Sequence, residues 1–176
     1  MVYRHSLTAA DTAKRLASHI SLLDSDTAYT YGLMHDVGKF HLKPREFYKH
    51  PRVGYELLKE QYPDIAEVCI SHAFPDFASF EHMLRYCHDD KKEADAVYSI
   101  LQGITRTSYI DLIQFCDKVS GVDGWMSLET KFDWYCSKDE IIHDEITDHY
   151  NMSLQAVKLR LDELVGEDVY GVLGIT

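Results

Sequence analysis

The chain has 176 residues, of which 45% are hydrophobic and 27% are charged, and its formal net charge at pH 7 is −11. This length suits one domain, residues 1–176, with a full hydrophobic core, and no apolar run is long enough to cross a membrane. The negative charge argues against binding to a nucleic-acid polymer, which needs clustered Lys and Arg. The N-terminus lacks the apolar stretch of a secretory signal, so we expect a cytoplasmic protein.

The first half of the chain has helical periodicity. Apolar residues recur every three or four positions over residues 6–20, which predicts a first helix. The DSD cluster at residues 24–26 is typical of an N-cap and predicts a second helix that runs towards His35. Gly38 is placed to end that helix or to turn the chain. Pro51 suits the first turn of a third helix.

Helical patterns continue to the end of the chain. A fourth helix is predicted over residues 64–72, and residues 80–104 predict one or two helices with a charged hinge at residues 88–93. Residues 108–119 again carry a helical apolar face. These patterns predict an all-α fold.

The C-terminal third contains weaker signals. The string KFDWYC at residues 131–136 is the most β-like stretch, although it could be helical, and GVDGW at residues 121–125 predicts a turn. A last helix is predicted to begin with Ser153 as its N-cap and to end at Gly166. The scattered cysteines predict reduced, mostly buried thiols rather than a disulfide framework or a zinc knuckle. They are Cys69, Cys87, Cys116 and Cys136.

Six metal-capable side chains have informative positions. Five of them lie at or next to predicted helix ends, which can converge on one point from several directions. The sixth is an aspartate flanked by apolar residues, where an unpaired carboxylate would be costly to bury. Imidazole and carboxylate ligands suit divalent Fe, Mn, Co, Ni or Zn. The six residues are His5, His35, Asp36, His50, His72 and Asp117.

The order of these residues resembles the signature of the HD-domain metal-dependent phosphohydrolases. The strings HSLTAADTAKRLA, YGLMHDVGK and LIQFCDKVSG are similar to the family's three motifs, and HPRVG followed by a later histidine matches its two-metal members. The resemblance covers roughly residues 3–120. It implies an all-α HD-domain helical bundle, with residues 121–176 as a C-terminal helical extension.

The resemblance also implies the roles of the site residues. The first metal would be held by His5, His35, Asp36 and Asp117. The second would be held by His50 and His72, with Asp36 as the bridge. Lys39 would contact a substrate phosphate, so that Asp36 and Lys39 are the expected catalytic residues. Two divalent metals per chain can activate water at neutral pH and neutralise phosphoryl oxygens.

The implied substrate is a small phosphorylated molecule, and a nucleotide is the expected one. The two-metal set in a short chain looks like the small bacterial HD enzymes that cleave diadenosine tetraphosphate symmetrically, which points to a dinucleoside polyphosphate. The branch that hydrolyses cyclic di-GMP has paired histidines and a Gly-Tyr-Pro string after the fifth ligand. The corresponding string here, SHAFPDFASF, has one histidine and no such string.

Three alternatives stay open. The chain could be a one-metal nucleoside monophosphate phosphatase in which His50 and His72 contact the substrate. It could be a non-catalytic module that binds a metal or a nucleotide. It could also be a helical interaction protein, because a histidine near a helix C-terminus often only stabilises the helix dipole and Asp117 could simply pair with Lys118.

The remaining histidines and several aromatic residues are assigned no function. His19 and His41 are expected to be exposed, and the spacing of His82 and His88 does not suit a shared helical face. The acidic stretch that holds His143 and His149 predicts a solvated helix face. The aromatic residues are expected mostly in the core, although four of them could line a pocket and stack on a base: Tyr29, Tyr31, Phe74 and Phe77.

Overall fold

A computed structural model describes residues 2–77, 79–121, 124–137 and 144–175 of the chain. The described residues form ten α-helices and no strand, which confirms the all-α prediction. The helices are α1 Val2–Ala17, α2 Ser25–Met34, α3 His50–Leu58, α4 Pro63–Ser71, α5 Phe80–Tyr86, α6 Lys91–Leu101, α7 Ser108–Val119, α8 Leu128–Ser137, α9 Glu145–Val165 and α10 Val169–Leu173. Short 3-10 helices span Val37–His41, Pro44–Lys49 and Pro75–Phe77.

Helices α1 and α2 pack closely because small residues lie where they meet. Ala9, Ala10 and Ala13 of α1 are fully buried. A Cβ atom on Gly32 of α2 would lie 2.7 Å from the Cα atom of Ala10, so a larger residue would push the two helices apart. This close approach brings the first turn of α1 near the end of α2.

The predicted N-cap of α2 is confirmed, but the prediction for Gly38 needs correction. The Asp24 side chain accepts a hydrogen bond from the Thr27 N–H at 2.7 Å. Gly38 does not end α2, which stops at Met34, and it lies in the following 3-10 helix. A Cβ atom on Gly38 would overlap the carbonyl oxygen of His50, so the glycine allows α3 to begin directly against this segment.

Two hydrophobic clusters form the core of the described residues. The first joins α1, α7, α9 and α10 around fully buried Phe115, Leu112 and Leu161. The second joins α4, α5 and α6 around Phe74 and Met83. The C-terminal helices therefore pack against the N-terminal ones, and that the whole chain forms a single domain stays a prediction.

Other elements follow the predicted pattern with one exception. Residues 80–104 divide into α5 and α6, and Asp90 caps α6. The string KFDWYC is helical within α8. Residues 122 and 123 of the predicted turn lie outside the described residues, and an isolated bridge joins Ser120 to Trp125. The predicted N-cap at Ser153 is wrong: α9 begins eight residues earlier, and its N-cap is Asp144. The end of α9 at Gly166, in the left-handed region, is confirmed.

The cysteines and the membrane prediction can be checked over the described residues. Cys69, Cys87 and Cys116 are buried free thiols, as predicted, whereas the side chain of Cys136 lies outside the described part. Among the described helices, none is long and apolar enough to cross a membrane.

Candidate metal centre

The adjacent His35 and Asp36 lie where α2 gives way to a 3-10 helix. His35 is the C-cap of α2 with helical backbone angles, and Asp36 leaves the helical region with φ −100° and ψ 9°. This change of backbone direction lets two neighbouring side chains point into the same space. Both side chains are fully buried.

The other predicted ligands come from the ends of four further helices. His5 lies in the first turns of α1, His50 is the first residue of α3, His72 follows α4, and Asp117 lies in the last turn of α7. In α7, the buried Gln114 amide donates hydrogen bonds to the carbonyl oxygens of residues 71 and 74, at 2.9 and 3.0 Å. This contact fixes the end of α4 against the helix that carries Asp117.

The structure brings all six predicted ligands together around two carboxylate oxygens. Asp36 Oδ1 lies 3.0 Å from the Nε2 atom of His50 and 3.6 Å from those of His35 and His72. Asp117 Oδ1 lies 2.9 Å from His5 Nε2 and 3.5 Å from His35 Nε2. His35 therefore faces both carboxylates.

Each of the four histidines donates its Nδ1–H to a backbone carbonyl oxygen. The acceptors are the carbonyl oxygens of Ser120 for His5 (3.1 Å), Gly32 for His35 (2.6 Å), Phe47 for His50 (2.6 Å) and Cys69 for His72 (2.8 Å). Because a carbonyl oxygen can only accept, Nδ1 carries the proton, and Nε2 of the neutral ring presents a lone pair. Metal-ligating histidines are commonly oriented by this type of bond.

Two features of this arrangement fit a bound cation. The Nε2 atoms of His50 and His72 lie 3.0 Å apart, although two lone pairs cannot form a hydrogen bond with each other. His35 Nε2 and Asp36 Oδ1 are buried without a hydrogen-bond partner among the described residues. A cation shared by these atoms would satisfy them, and imidazole nitrogen with carboxylate oxygen is a suitable donor set for divalent metals.

Two groups of three residues are compact enough to hold metal ions. In each group, the possible ligand atoms lie within 4.8 Å of one another. The groups are His5, His35 and Asp117, and His35, Asp36 and His72. The residues of the chain therefore fit a divalent metal centre.

Two lysines bind the outer oxygens of the carboxylates. Lys39 Nζ lies 2.6 Å from Asp36 Oδ2, and Lys118 Nζ lies 2.6 Å from Asp117 Oδ2. Each carboxylate therefore turns one oxygen to a lysine and the other to the imidazoles. The alternative pairing of Asp117 with Lys118 exists alongside the histidine contacts. The sequence analysis did not predict Lys118 as a site residue. Its position next to Asp117 was the sequence feature that could have identified it.

The charges of the site favour metal ligation at neutral pH. Burial would raise the pKa of both carboxyls, but His35 and Lys39 hold the pKa of Asp36 well below its usual range, and Lys118 does the same for Asp117. Burial lowers the pKa of His50 and, even further, that of His72. The carboxylates are thus ionised and these two imidazoles neutral, which is the state that binds metals.

His35 differs from the other buried histidines. Burial opposes a charge on its imidazole, but the carboxylates of Asp36 and Asp117 outweigh that effect and raise its pKa above the usual value. A metal would therefore compete with a proton for His35, so the fraction of sites occupied by metal should increase as the pH rises.

Two adjoining cavities open beside this cluster. The first, of about 380 Å³, reaches the ligands themselves, and the second has about 830 Å³. Six residues line both: Lys39, Phe47, His50, Tyr86, Lys118 and Lys131. Helices α8 and α9 supply part of the wall of the second cavity, through residues such as Lys131 and Tyr150.

The second cavity has a cationic and aromatic lining. Among the described residues that line it there is no Asp or Glu, although the chain has 29 of them. Its cationic residues are Lys39, Arg85, Lys118 and Lys131, and its aromatic residues are Phe47, Tyr48, Tyr86, Phe132 and Tyr150. The cavity is therefore suited to an anion that carries an aromatic group.

The aromatic residues suggested by the sequence lie elsewhere. Phe74 is fully buried in the second core cluster, Phe77 packs against both clusters, and the Tyr31 ring packs edge-on against Tyr109 with centroids 5.1 Å apart. The aromatic residues of the second cavity come from four different elements. The apolar pattern of any one helix therefore could not show that these residues line the same cavity.

The remaining histidines occupy both expected and unexpected places. His19, His41 and His149 are exposed, as expected, and His143 lies outside the described residues. His82 and His88, to which the sequence assigned no role, line the second cavity. Burial, together with the nearby charges of Lys118 and Arg85, lowers the pKa of His82 to about 4.

Comparison with known proteins gives one family. Neither a curated protein nor a solved structure matches the chain. The model of the HD domain family matches residues 2–121, which is more than half of the chain and includes all six clustered residues. The family consists generally of metal-dependent hydrolases. The chain therefore belongs to the HD domain family, as the resemblance of its motifs predicted.

Proposed function

We propose that the protein is a metal-dependent phosphohydrolase that cleaves a phosphate ester or a phosphoanhydride. The observation that carries this proposal is the set of four Nε2 lone pairs and two carboxylate oxygens gathered within one buried cluster. When bound there, divalent cations would neutralise phosphoryl oxygens and activate water for attack at neutral pH. Membership of the HD family supports the same reaction class.

The six residues can be assigned to two metals, with one carboxylate shared between them. The first metal would be held by His5, His35, Asp36 and Asp117. The second would be held by His50 and His72, with Asp36 as the shared ligand. The short distances from Asp36 Oδ1 to His35, His50 and His72 support the shared role of that carboxylate. Fe, Mn, Co, Ni and Zn all suit this donor set.

The lysines of the site would bind the phosphoryl group. The ammonium groups of Lys39 and Lys118 are anchored by Asp36 and Asp117, and both residues line the two cavities. An anchored ammonium group loses little conformational freedom when it meets a phosphoryl oxygen, so it helps to bind and orient the substrate. Asp36 would in this way serve both as a metal ligand and as the residue that positions Lys39.

We further propose a nucleotide substrate, such as a dinucleoside polyphosphate. The support is the second cavity, which combines four cationic side chains with five aromatic rings and has no acidic residue in its described lining. Cationic side chains attract phosphates, and aromatic faces stack on bases. The cavity adjoins the cluster, so one molecule could place a phosphate at the metals and a base in the second cavity.

A metal-supplemented hydrolysis screen tests this function. Purified protein would be supplied separately with Mn, Fe, Co, Ni or Zn and offered mononucleotides, dinucleoside polyphosphates and cyclic dinucleotides. We expect phosphate release or anhydride cleavage that requires metal and is absent in Asp36→Ala. Turnover limited to mononucleotides would favour the one-metal phosphatase, and metal binding without any turnover would favour a binding module.

A further inference from the structure

Tyr86 lies at the junction of the two cavities. Tyr86 is the last residue of α5 and lines both the first and the second cavity. Its ring packs edge-on against fully buried Phe74, with centroids 4.9 Å apart. Its hydroxyl oxygen lies 3.5 Å from His50 Nδ1. The side chain is therefore held in place next to a candidate metal ligand.

The proton of this hydroxyl has no acceptor among the described residues. The contact with His50 cannot provide one, because the Nδ1 atom of His50 already carries a proton and donates it to the Phe47 carbonyl oxygen at 2.6 Å. The nearby Tyr48 differs in this respect, since its hydroxyl donates to Asp90 at 3.2 Å. Tyr86 thus presents a hydrogen-bond donor to the space where the substrate would lie.

We propose that the Tyr86 hydroxyl donates a hydrogen bond to a phosphoryl oxygen of the bound substrate. This inference rests on the proposed function and adds a neutral donor to the cationic donors of Lys39 and Lys118. Tyr86 lines the first cavity together with Asp36, His50 and His72, so this residue borders the space beside the candidate ligands as well as the second cavity. A donor fixed by packing stabilises the charge on phosphoryl oxygens without reorganising during the reaction.

Tyr86→Phe tests the proposal, with Tyr109→Phe as the matched control, because Tyr109 lines neither cavity and its hydroxyl contacts the backbone of Asp24. Both variants keep the aromatic ring and remove one hydroxyl, and Phe at position 86 keeps the packing on Phe74. Three quantities would be measured on each chain: metal content by elemental analysis, affinity of the metal-loaded chain for inorganic phosphate by titration calorimetry, and kcat/KM for the best substrate of the screen.

The proposal predicts that Tyr86→Phe retains the wild-type metal content. Its phosphate affinity and its kcat/KM should each fall by about 10- to 100-fold, the range expected when one hydrogen bond to a charged group is lost. Tyr109→Phe should match the wild type in all three quantities.

Three results would overturn the proposal. Wild-type phosphate affinity and kcat/KM in Tyr86→Phe would show that the hydroxyl does not contact the phosphoryl group. A loss of metal with unchanged phosphate affinity per loaded chain would mean that Tyr86 only supports His50. A wild-type chain that binds metal but neither binds phosphate nor hydrolyses any ester would overturn the proposed function as well.

Discussion

Asp36 is the residue on which the cluster depends most. Its side chain is fully buried, and a buried carboxylate is costly unless it is paired. Lys39 pairs with one oxygen, and three imidazoles surround the other. His50 and His72 present lone pairs, so they do not satisfy that oxygen by hydrogen bonding, and a bound cation would balance its charge.

Asp36→Ala should abolish metal retention at both positions, together with hydrolysis. The substitution removes the oxygen closest to His50 and the partner of Lys39. Elemental analysis and the hydrolysis assay measure the result. His19→Ala is a suitable control, because His19 is exposed and follows the end of α1 that is distant from His5. An Asp36→Ala chain with wild-type metal content would show that the ligand assignment is wrong.

His82 should make the stability of the protein fall at acidic pH. Its pKa is about 4 in the folded chain, against about 6.5 for an ordinary histidine. Between these values the unfolded chain binds a proton that the folded chain does not. The contribution of His82 to the free energy of unfolding is therefore fully present above about pH 6.5. It is lost as the pH falls towards 4, and the total loss is about 3 kcal/mol.

The measurement is denaturant unfolding of the metal-free chain at several pH values, for the wild type and for His82→Gln. The difference between the two chains isolates His82 from the other histidines. The variant should lose less stability than the wild type between pH 6.5 and 4. Parallel pH curves for the two chains would contradict the assigned pKa.

At the scale of elements, helix ends that local chemistry determines were predictable. The caps at Asp24 and Gly166 depend on residues within one turn, and both were predicted. The start of α9 was not. Asp144 caps it by accepting the Thr147 N–H at 3.1 Å, a bond as local as the cap at Asp24, so local chemistry alone did not separate Asp144 from Ser153. The contact that distinguishes Asp144 is its ion pair with Arg85 of α5 at 2.6 Å, which joins distant segments and which no local pattern reveals. The cavity lining escaped prediction for the same reason, since it is assembled from several elements.

Gly38→Ala should destabilise the protein where α3 meets the segment after α2. The new methyl group would overlap the carbonyl oxygen of His50 and lie 2.8 Å from the Gly54 nitrogen. We expect a loss of about 1–3 kcal/mol, or roughly 3–10 °C in Tm. Differential scanning calorimetry measures the change.

Gly171→Ala is the matched control for Gly38→Ala. Gly171 is helical within α10, and a Cβ atom there would meet nothing within 4 Å. Because alanine favours a helix over glycine, the control should keep its Tm or gain slightly. If both variants had the wild-type Tm, the close approach at Gly38 would not constrain the fold.

The distribution of charge matters at the scale of the whole molecule. The chain carries a net charge of −11, yet four cationic side chains line the second cavity, with no acidic residue among its described lining. Three of the four are paired with acidic side chains, Lys39 with Asp36, Lys118 with Asp117 and Arg85 with Asp144, so the cavity offers an anion donors that are held in place. Helices α8 and α9 contribute to this wall, so residues beyond the matched region 2–121 help to form the cavity.

Metal removal should lower the thermal stability of the loaded protein. A ligand that binds only the folded chain adds about 2.7 kcal/mol when its concentration is 100 times its Kd. For a chain of this size, that corresponds to roughly 5–10 °C in Tm. Thermal scans with and without a chelator measure the shift. A Tm that does not change when the chelator is added would favour the alternative in which the histidines bind no metal.

The most direct test is the metal content of the wild-type chain. Protein loaded with Mn, Fe, Co, Ni or Zn, freed of unbound metal and analysed for metal per chain should retain close to two ions of at least one of these metals. A value near one would support the single-metal alternative. Retention of none of the five metals would contradict the claim that the buried histidines and aspartates form a metal centre.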